Sequence, residues 1–193
     1  IINSAPAIVS SVPPYYYKFN DYFTFKYSAT VYNRDAMVYI GANDGALHAF
    51  RLEDGVEKWR FYPDAVVSKL ANAESDPAQD MCSPSYCHKF LLDGSPELAD
   101  IYVDSTTGWR TILTTGLGLG GCAFFRLDIT HGEDFDAADD VKSAFLWEFT
   151  DTELGLSTSD PVTARVSNST SSTGWATFFG SGETEVTADQ SNK

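Results

Sequence analysis

One unit of about 65 to 90 residues recurs along this chain, twice in full and once cut to its first half; repeats of that kind bury a core only by stacking on one another. Each copy opens with a small or polar residue and a proline before an apolar run: Ser4-Ala5-Pro6-Ala7-Ile8-Val9, Gly94-Ser95-Pro96-Glu97-Leu98 and Ser159-Asp160-Pro161-Val162. A second strand ending in glycine follows at Met37–Gly41, Trp109–Gly116 and Trp175–Gly180, and in the last two copies Thr-Gly-Trp introduces it. The third strand comes after a Gly-rich turn and reads Ala46–Leu52 in copy one and Cys122–Ile129 in copy two; copy three does not reach it. A fourth strand carries Trp59 within Glu57–Phe61 and Trp147 within Ala144–Phe149, and these tryptophans are expected at matching, largely buried positions.

Four short strands joined by turns make one propeller blade. The sequence therefore predicts an all-β fold with little helix: a partial β-propeller of about two and a half blades, built from antiparallel four-stranded sheets with long loop insertions. Residues 1–193 are read as a single partial propeller domain with repeat units at about 1–61, 94–149 and 159–193. Because closed propellers take about four to eight blades, the chain is expected to be a fragment of a larger protein. A compact sandwich with similar hairpins is the alternative, since periodicity does not show closure.

A composition of 43% hydrophobic and 14% aromatic residues is that of an ordered globular chain. No apolar run is long enough to suggest a membrane helix, so no membrane span is expected. A net charge of −14, with Lys and Arg scattered singly, repels phosphate backbones and excludes nucleic acid as a partner.

Three cysteines occur, and Cys82 and Cys87 enclose a short Pro- and Ser-containing loop whose spacing can close a disulfide. A zinc site with His88 lacks a second ligand pair, so the disulfide, and with it an oxidising compartment, is the preferred reading. Cys122 is expected to fill a core position on its strand. Four segments read as irregular insertions: about 10–24, rich in aromatic residues and expected to pack over the blade; 62–92; 131–143, acidic; and 164–174. An exposed aromatic binding strip is the alternative for the first.

The stretch Gly116-Leu117-Gly118-Leu119-Gly120-Gly121 satisfies the dinucleotide pattern, yet strand-forming residues follow it where a helix would have to hold the pyrophosphate. It is read as a tight turn. Glu133–Asp140 lacks the alternating ligands and central glycine of an EF-hand and is read as a solvated loop; Asn43-Asp44-Gly45 and Asp54-Gly55 are hairpin turns. His48, His88 and His131 fall in no recognisable constellation, and Asn168-Ser169-Thr170 matches the glycosylation pattern. No catalytic, cofactor or metal residue is assigned, and no enzyme activity is expected.

The segment Val38–Phe50, Val-Tyr-Ile-Gly-Ala-Asn-Asp-Gly-Ala-Leu-His-Ala-Phe, resembles the signature of the PilC/PilY family, large pilus-tip and pilus-biogenesis proteins of type IV pili. Ile2–Pro6, Pro13–Tyr16, Asp93–Pro96, Gly108–Thr111, Gly116–Gly121, Leu127–Thr130 and Trp147–Phe149 continue the resemblance in order along most of residues 1–182. It implies the first part of that family's C-terminal modified β-propeller, exported to the periplasm, pilus tip or cell surface. The function it implies is a non-catalytic structural and interaction segment in pilus assembly and surface adhesion. The remaining blades of the parent chain and pilus components such as minor pilins are the partners it implies. The family's calcium-binding loop has no counterpart here, so no cofactor is expected in this segment, while calcium remains a feature of the full-length family. Gly41 through Trp59 also reads like the repeat of pyrroloquinoline-quinone dehydrogenases, which makes such an enzyme the competing class, followed by a carbohydrate-binding extracellular propeller.

Overall fold

The computed structural model describes residues 2–11, 14–15, 17–73, 89–167 and 173–183. Strands β1 (Ala7–Val9), β2 (Met37–Gly41), β3 (Leu47–Arg51) and β4 (Glu57–Phe61) form one four-stranded sheet in that order. β5 (Glu97–Tyr102), β6 (Trp109–Gly116), β7 (Phe124–Asp128) and β8 (Phe145–Phe149) form a second, and β9 (Val162–Ser167) pairs with β10 (Thr173–Phe178) in a third. Every ladder is antiparallel. This is the meander that the repeat predicts, with the third unit reaching two strands.

The hairpins close on the residues that short turns require. Gly45 at φ 91° and Gly55 at φ 71° occupy the left-handed region. In each turn the preceding aspartate accepts from the backbone two residues on: Asp44 from the Ala46 N–H and Asp54 from the Val56 N–H, both at 3.1 Å. Asp54 also pairs with Arg51, which with the backbone bond holds its carboxyl down at about 2.

Equivalence between the first two units extends to single ladder rungs. Gly41 opposes Leu47 as Gly116 opposes Phe124, Ala49 opposes Trp59 as Arg126 opposes Trp147, and a register shift follows that rung in both sheets. The opening Ser-x-Pro is matched too. Ser4 accepts the Gly41 N–H at 3.1 Å and Ser159 accepts the Gly180 N–H at 2.9 Å, so one hydroxyl closes the end of the second strand in units one and three. Unit two has Gly94 there, where a Cβ would overlap the Gly116 carbonyl.

The main core lies between units one and two, where Met37, Tyr39, Leu47 and Trp59 meet Leu113, Phe125, Leu127 and Ile129. The opposite face of unit two packs on unit three through Ile112 beside Trp175 and Phe124 stacked on Phe179 at 4.1 Å. Covered on both faces, β6 is buried along nearly its whole length and reads as an apolar and threonine run without alternation.

Among the described residues helices occupy segments that the sequence reads as irregular and the stretch just before the second strand of unit one. α1 (Tyr22–Lys26) and α2 (Ala29–Tyr32) follow the aromatic insertion, α3 (Asp64–Ala73) follows β4, and α4 (Ala138–Ala144) lies in the acidic stretch. α3 is fixed from a distance: both Glu148 carboxylate oxygens, from β8, accept the Asp64 and Ala65 N–H groups at 2.9 Å and neutralise its N-terminus. Much of 164–174 is strand. Cys122 is half-buried in the bend before β7 and not in the strand core, which Ala123, Phe124 and Phe125 fill instead. The Cys82–Cys87 pairing, His88 and Asn168–Thr170 lie outside the described residues.

Candidate functional site

Trp59 and Trp147 each stand third in the outer strand of their sheets, on the face directed to the next unit. Trp59 is buried against unit two, and its indole N–H donates to the Gly132 carbonyl at 2.7 Å. Trp147 is only half-buried, which corrects the expectation that both lie largely buried: among the described residues, unit three has no counterpart of the turn after β7 from which unit two supplies Gly132. It lies 4.9 Å from the Arg126 guanidinium carbon, and Arg126 donates to Thr114 and Thr163. Burial with no carboxylate partner pushes this guanidinium down to about 10.

The same geometry defines an open face on unit three. On β9 and β10, Thr163, Arg165 and Trp175 turn towards unit two or the aromatic insertion, as Thr163 bonds Arg126, Arg165 stacks on Phe19 and Trp175 packs on Trp109. By strand alternation, Val162, Ala164, Val166, Ala176 and Phe178 form the other face. Val162 is 60% exposed and Phe178 54%. The Val162–Phe178 rung is the counterpart of Ala7–Tyr39 in unit one, where Tyr39 is fully buried in the core shared with unit two and Ala7 is half-buried.

The aromatic insertion packs over the blades, as expected, and spans them. Tyr17 stacks on Trp109 at 5.3 Å and meets Trp175 edge-on at 5.3 Å, so one loop of unit one clamps the Thr-Gly-Trp tryptophans of units two and three. Below it, Asp100 is buried and accepts from Tyr22 and from Thr111, which in turn accepts from Arg34 at 3.1 Å. Burial pushes the Asp100 carboxyl up, opposed by these hydrogen bonds and by Arg34 and Lys26. Tyr22 is driven up by burial and by its bond to Asp100. The network is fully internal and ties unit one to unit two. Phe23, Tyr27 and Tyr32 remain exposed on α1, α2 and the bend between them.

The glycine run forms a tight turn. Gly118 has φ 64° and bridges Ser157, whose hydroxyl accepts the Leu117 N–H and donates to the Gly121 carbonyl, both at 2.8 Å. A Cβ at Gly120 would overlap the Leu91 carbonyl. Within the turn the Gly118 N–H also donates to the Ser157 carbonyl and the Gly120 N–H to the Leu117 carbonyl, and β7 follows where a pyrophosphate site would need a helix N-terminus.

His48 sits between two carboxylates, Nδ1 at 2.6 Å from Glu57 and Nε2 at 3.1 Å from Asp44. His131 has different company. It precedes the 3-10 helix Gly132–Asp134, and its ring lies with the Glu133 and Asp134 carboxylates, ligand atoms all within 4.8 Å of one another. Burial raises the Glu133 carboxyl, with Asp134 and Asp35 adding repulsion against the pull of its own backbone bond and of Arg34. In the sequence His131 and the carboxylates of 133–140 show no ligand spacing; what joins them is their placement on one turn after β7.

A family model described as the PilY1 beta-propeller domain matches residues 1–193. The type IV pilus biogenesis factor PilY1 of Pseudomonas aeruginosa (strain UCBPP-PA14) is 36% identical over 191 residues, covering 94% of this chain and 15% of that protein. A PilY1 homolog of Xylella fastidiosa is 35% identical over 159 residues, covering 81% of this chain and 11% of that protein. The crystal structure of the Pseudomonas aeruginosa PilY1 C-terminal domain superposes with a TM-score of 0.61 at 29% identity, over 91% of this chain and 31% of that one. The chain therefore spans a minor part of the curated relatives it matches.

Proposed function

The chain belongs to the PilY1 β-propeller family, and on that premise we propose that it is a non-catalytic interaction segment of an exported type IV pilus biogenesis factor. Its work is to dock: onto the following blades of its parent chain through the open face of unit three, and through the assembled propeller onto pilus components such as minor pilins. The observation that carries this reading is the apolar face of Val162, Val166 and Phe178, with Phe178 exposed where its unit-one equivalent, Tyr39, is fully buried. A face of that kind marks an interface. The glycine turn tied to Ser157 and the internal polar network support a structural role over chemistry.

The reading extends to a periplasmic or cell-surface location and to a part in surface attachment. Deleting the coding region for this segment from the parent gene tests it. Sheared surface pili and attached cells should fall while pilin levels in whole cells hold. Unchanged piliation, or loss of a quinone-dependent dehydrogenase activity with piliation intact, would overturn it in favour of the enzyme class.

A further inference from the structure

One cluster of side chains has no part in the docking just described. As the chain leaves β7 it enters the 3-10 helix Gly132–Asp134, and the tight winding brings the His131 imidazole and the Glu133 and Asp134 carboxylates to one side, ligand atoms within 4.8 Å of one another. They face a cleft of about 240 Å³ whose far wall is the Ala29–Asp35 segment, where Asp35 adds a further carboxylate. Arg34 also lines this cleft; its Nε donates to the Ser10 carbonyl and its Nη1 to the Thr111 hydroxyl and the Thr130 carbonyl, and its charge acts on Glu133. Among the described residues neither Glu133 nor Asp134 takes part in a salt bridge.

A second, separate observation falls on the same turn. The Tyr39 hydroxyl is fully buried and has no hydrogen-bond partner among the described residues, a state that carries a desolvation cost. It is directed at Gly132, between His131 and Glu133, so closely that a Cβ on that glycine would collide with it. That puts an unsatisfied donor against the backbone of the turn that carries the three ligands.

We propose that His131, Glu133 and Asp134 bind one divalent transition-metal ion of the zinc class, with Asp35 or water completing the shell and Tyr39 donating to a ligand oxygen or to bound water. An imidazole nitrogen with carboxylates suits such an ion, whereas calcium takes six to eight oxygens. With Asp35 as a ligand the ion would fasten the segment before β2 to the exit of β7, holding units one and two together. This inference uses only residues of this chain and stands independently of the pilus reading.

Metal-stripped full chain titrated calorimetrically with Zn²⁺ at neutral pH should take up one ion, with Ca²⁺ much weaker. His131→Ala and Glu133→Gln should each weaken Zn²⁺ binding by at least about tenfold and His48→Ala should not, with circular dichroism of the metal-free variants showing the wild-type fold. Tyr39→Phe should weaken binding a few-fold. Cobalt(II) added to the wild-type chain should give visible d–d absorption displaced by Zn²⁺, a readout that needs no variant. No uptake, affinity unchanged in both His131→Ala and Glu133→Gln, tighter binding of Ca²⁺, or no cobalt spectrum would overturn the site.

Discussion

Trp59 and Trp147 show how one residue type at one ladder position acquires its energy from the neighbouring unit. Trp59 has Tyr39 at 5.6 Å, Phe135 at 5.5 Å and a carbonyl on its N–H. Truncation to alanine is expected to cost about 3–5 kcal/mol in urea unfolding. Trp147, half-buried over Arg126, is expected to cost only about 1–2 kcal/mol in this chain. Equal costs would show that the open side is already covered. Tyr39 is the opposite case: its ring packs in the core while its hydroxyl is unsatisfied. In metal-free protein Tyr39→Phe should therefore leave stability unchanged or raise it by about 1 kcal/mol, and a clear loss would reveal a partner for that hydroxyl.

At the scale of elements, strands announced themselves and helices did not. The strand signals are local, a proline opening before β1, β5 and β9 and an apolar run with a closing glycine for β2, β6 and β10, and the strands formed where those signals stand. α3 is different, because the carboxylate that stabilises its first turn, Glu148, comes from the next unit. No window of sequence around Asp64 contains that information. The candidate metal turn was hidden for a related reason: a histidine at a turn and a run of acids each have ordinary explanations until one 3-10 winding gathers them. The aromatic insertion was legible as a packed loop, but not its span over Trp109 and Trp175. Its anchoring to unit two through Asp100 gives a pH signature. Because burial raises this carboxyl in the folded state, its stabilising contribution is complete below the ordinary aspartate value and is lost as pH rises through the raised one. Asp100→Asn should therefore flatten the decline of stability over that window, measured as urea midpoints against pH. An unchanged slope would place the titration elsewhere.

For the whole molecule, stability is a sum over units and the interfaces between them, so a unit with one uncovered face should be the weakest. Unit three has two strands and an apolar outer face with Val162 at 60% and Phe178 at 54% exposure, while units one and two share the largest core. Hydrogen exchange should accordingly run fastest in β9 and β10 and slowest in β2 and β6. Extending the chain by the next repeat of its parent should change this in a defined way. The added third strand would cover Trp147 as unit two covers Trp59, shifting tryptophan emission to shorter wavelength, and β9 and β10 would gain exchange protection. Trp147→Phe should abolish most of that spectral shift, and Phe178→Asp should prevent the gain in protection by placing a charge on the newly buried face. If the extended chain left Trp147 as exposed as before, unit three would not be continued as a blade, and its apolar face would belong to a contact with a separate protein.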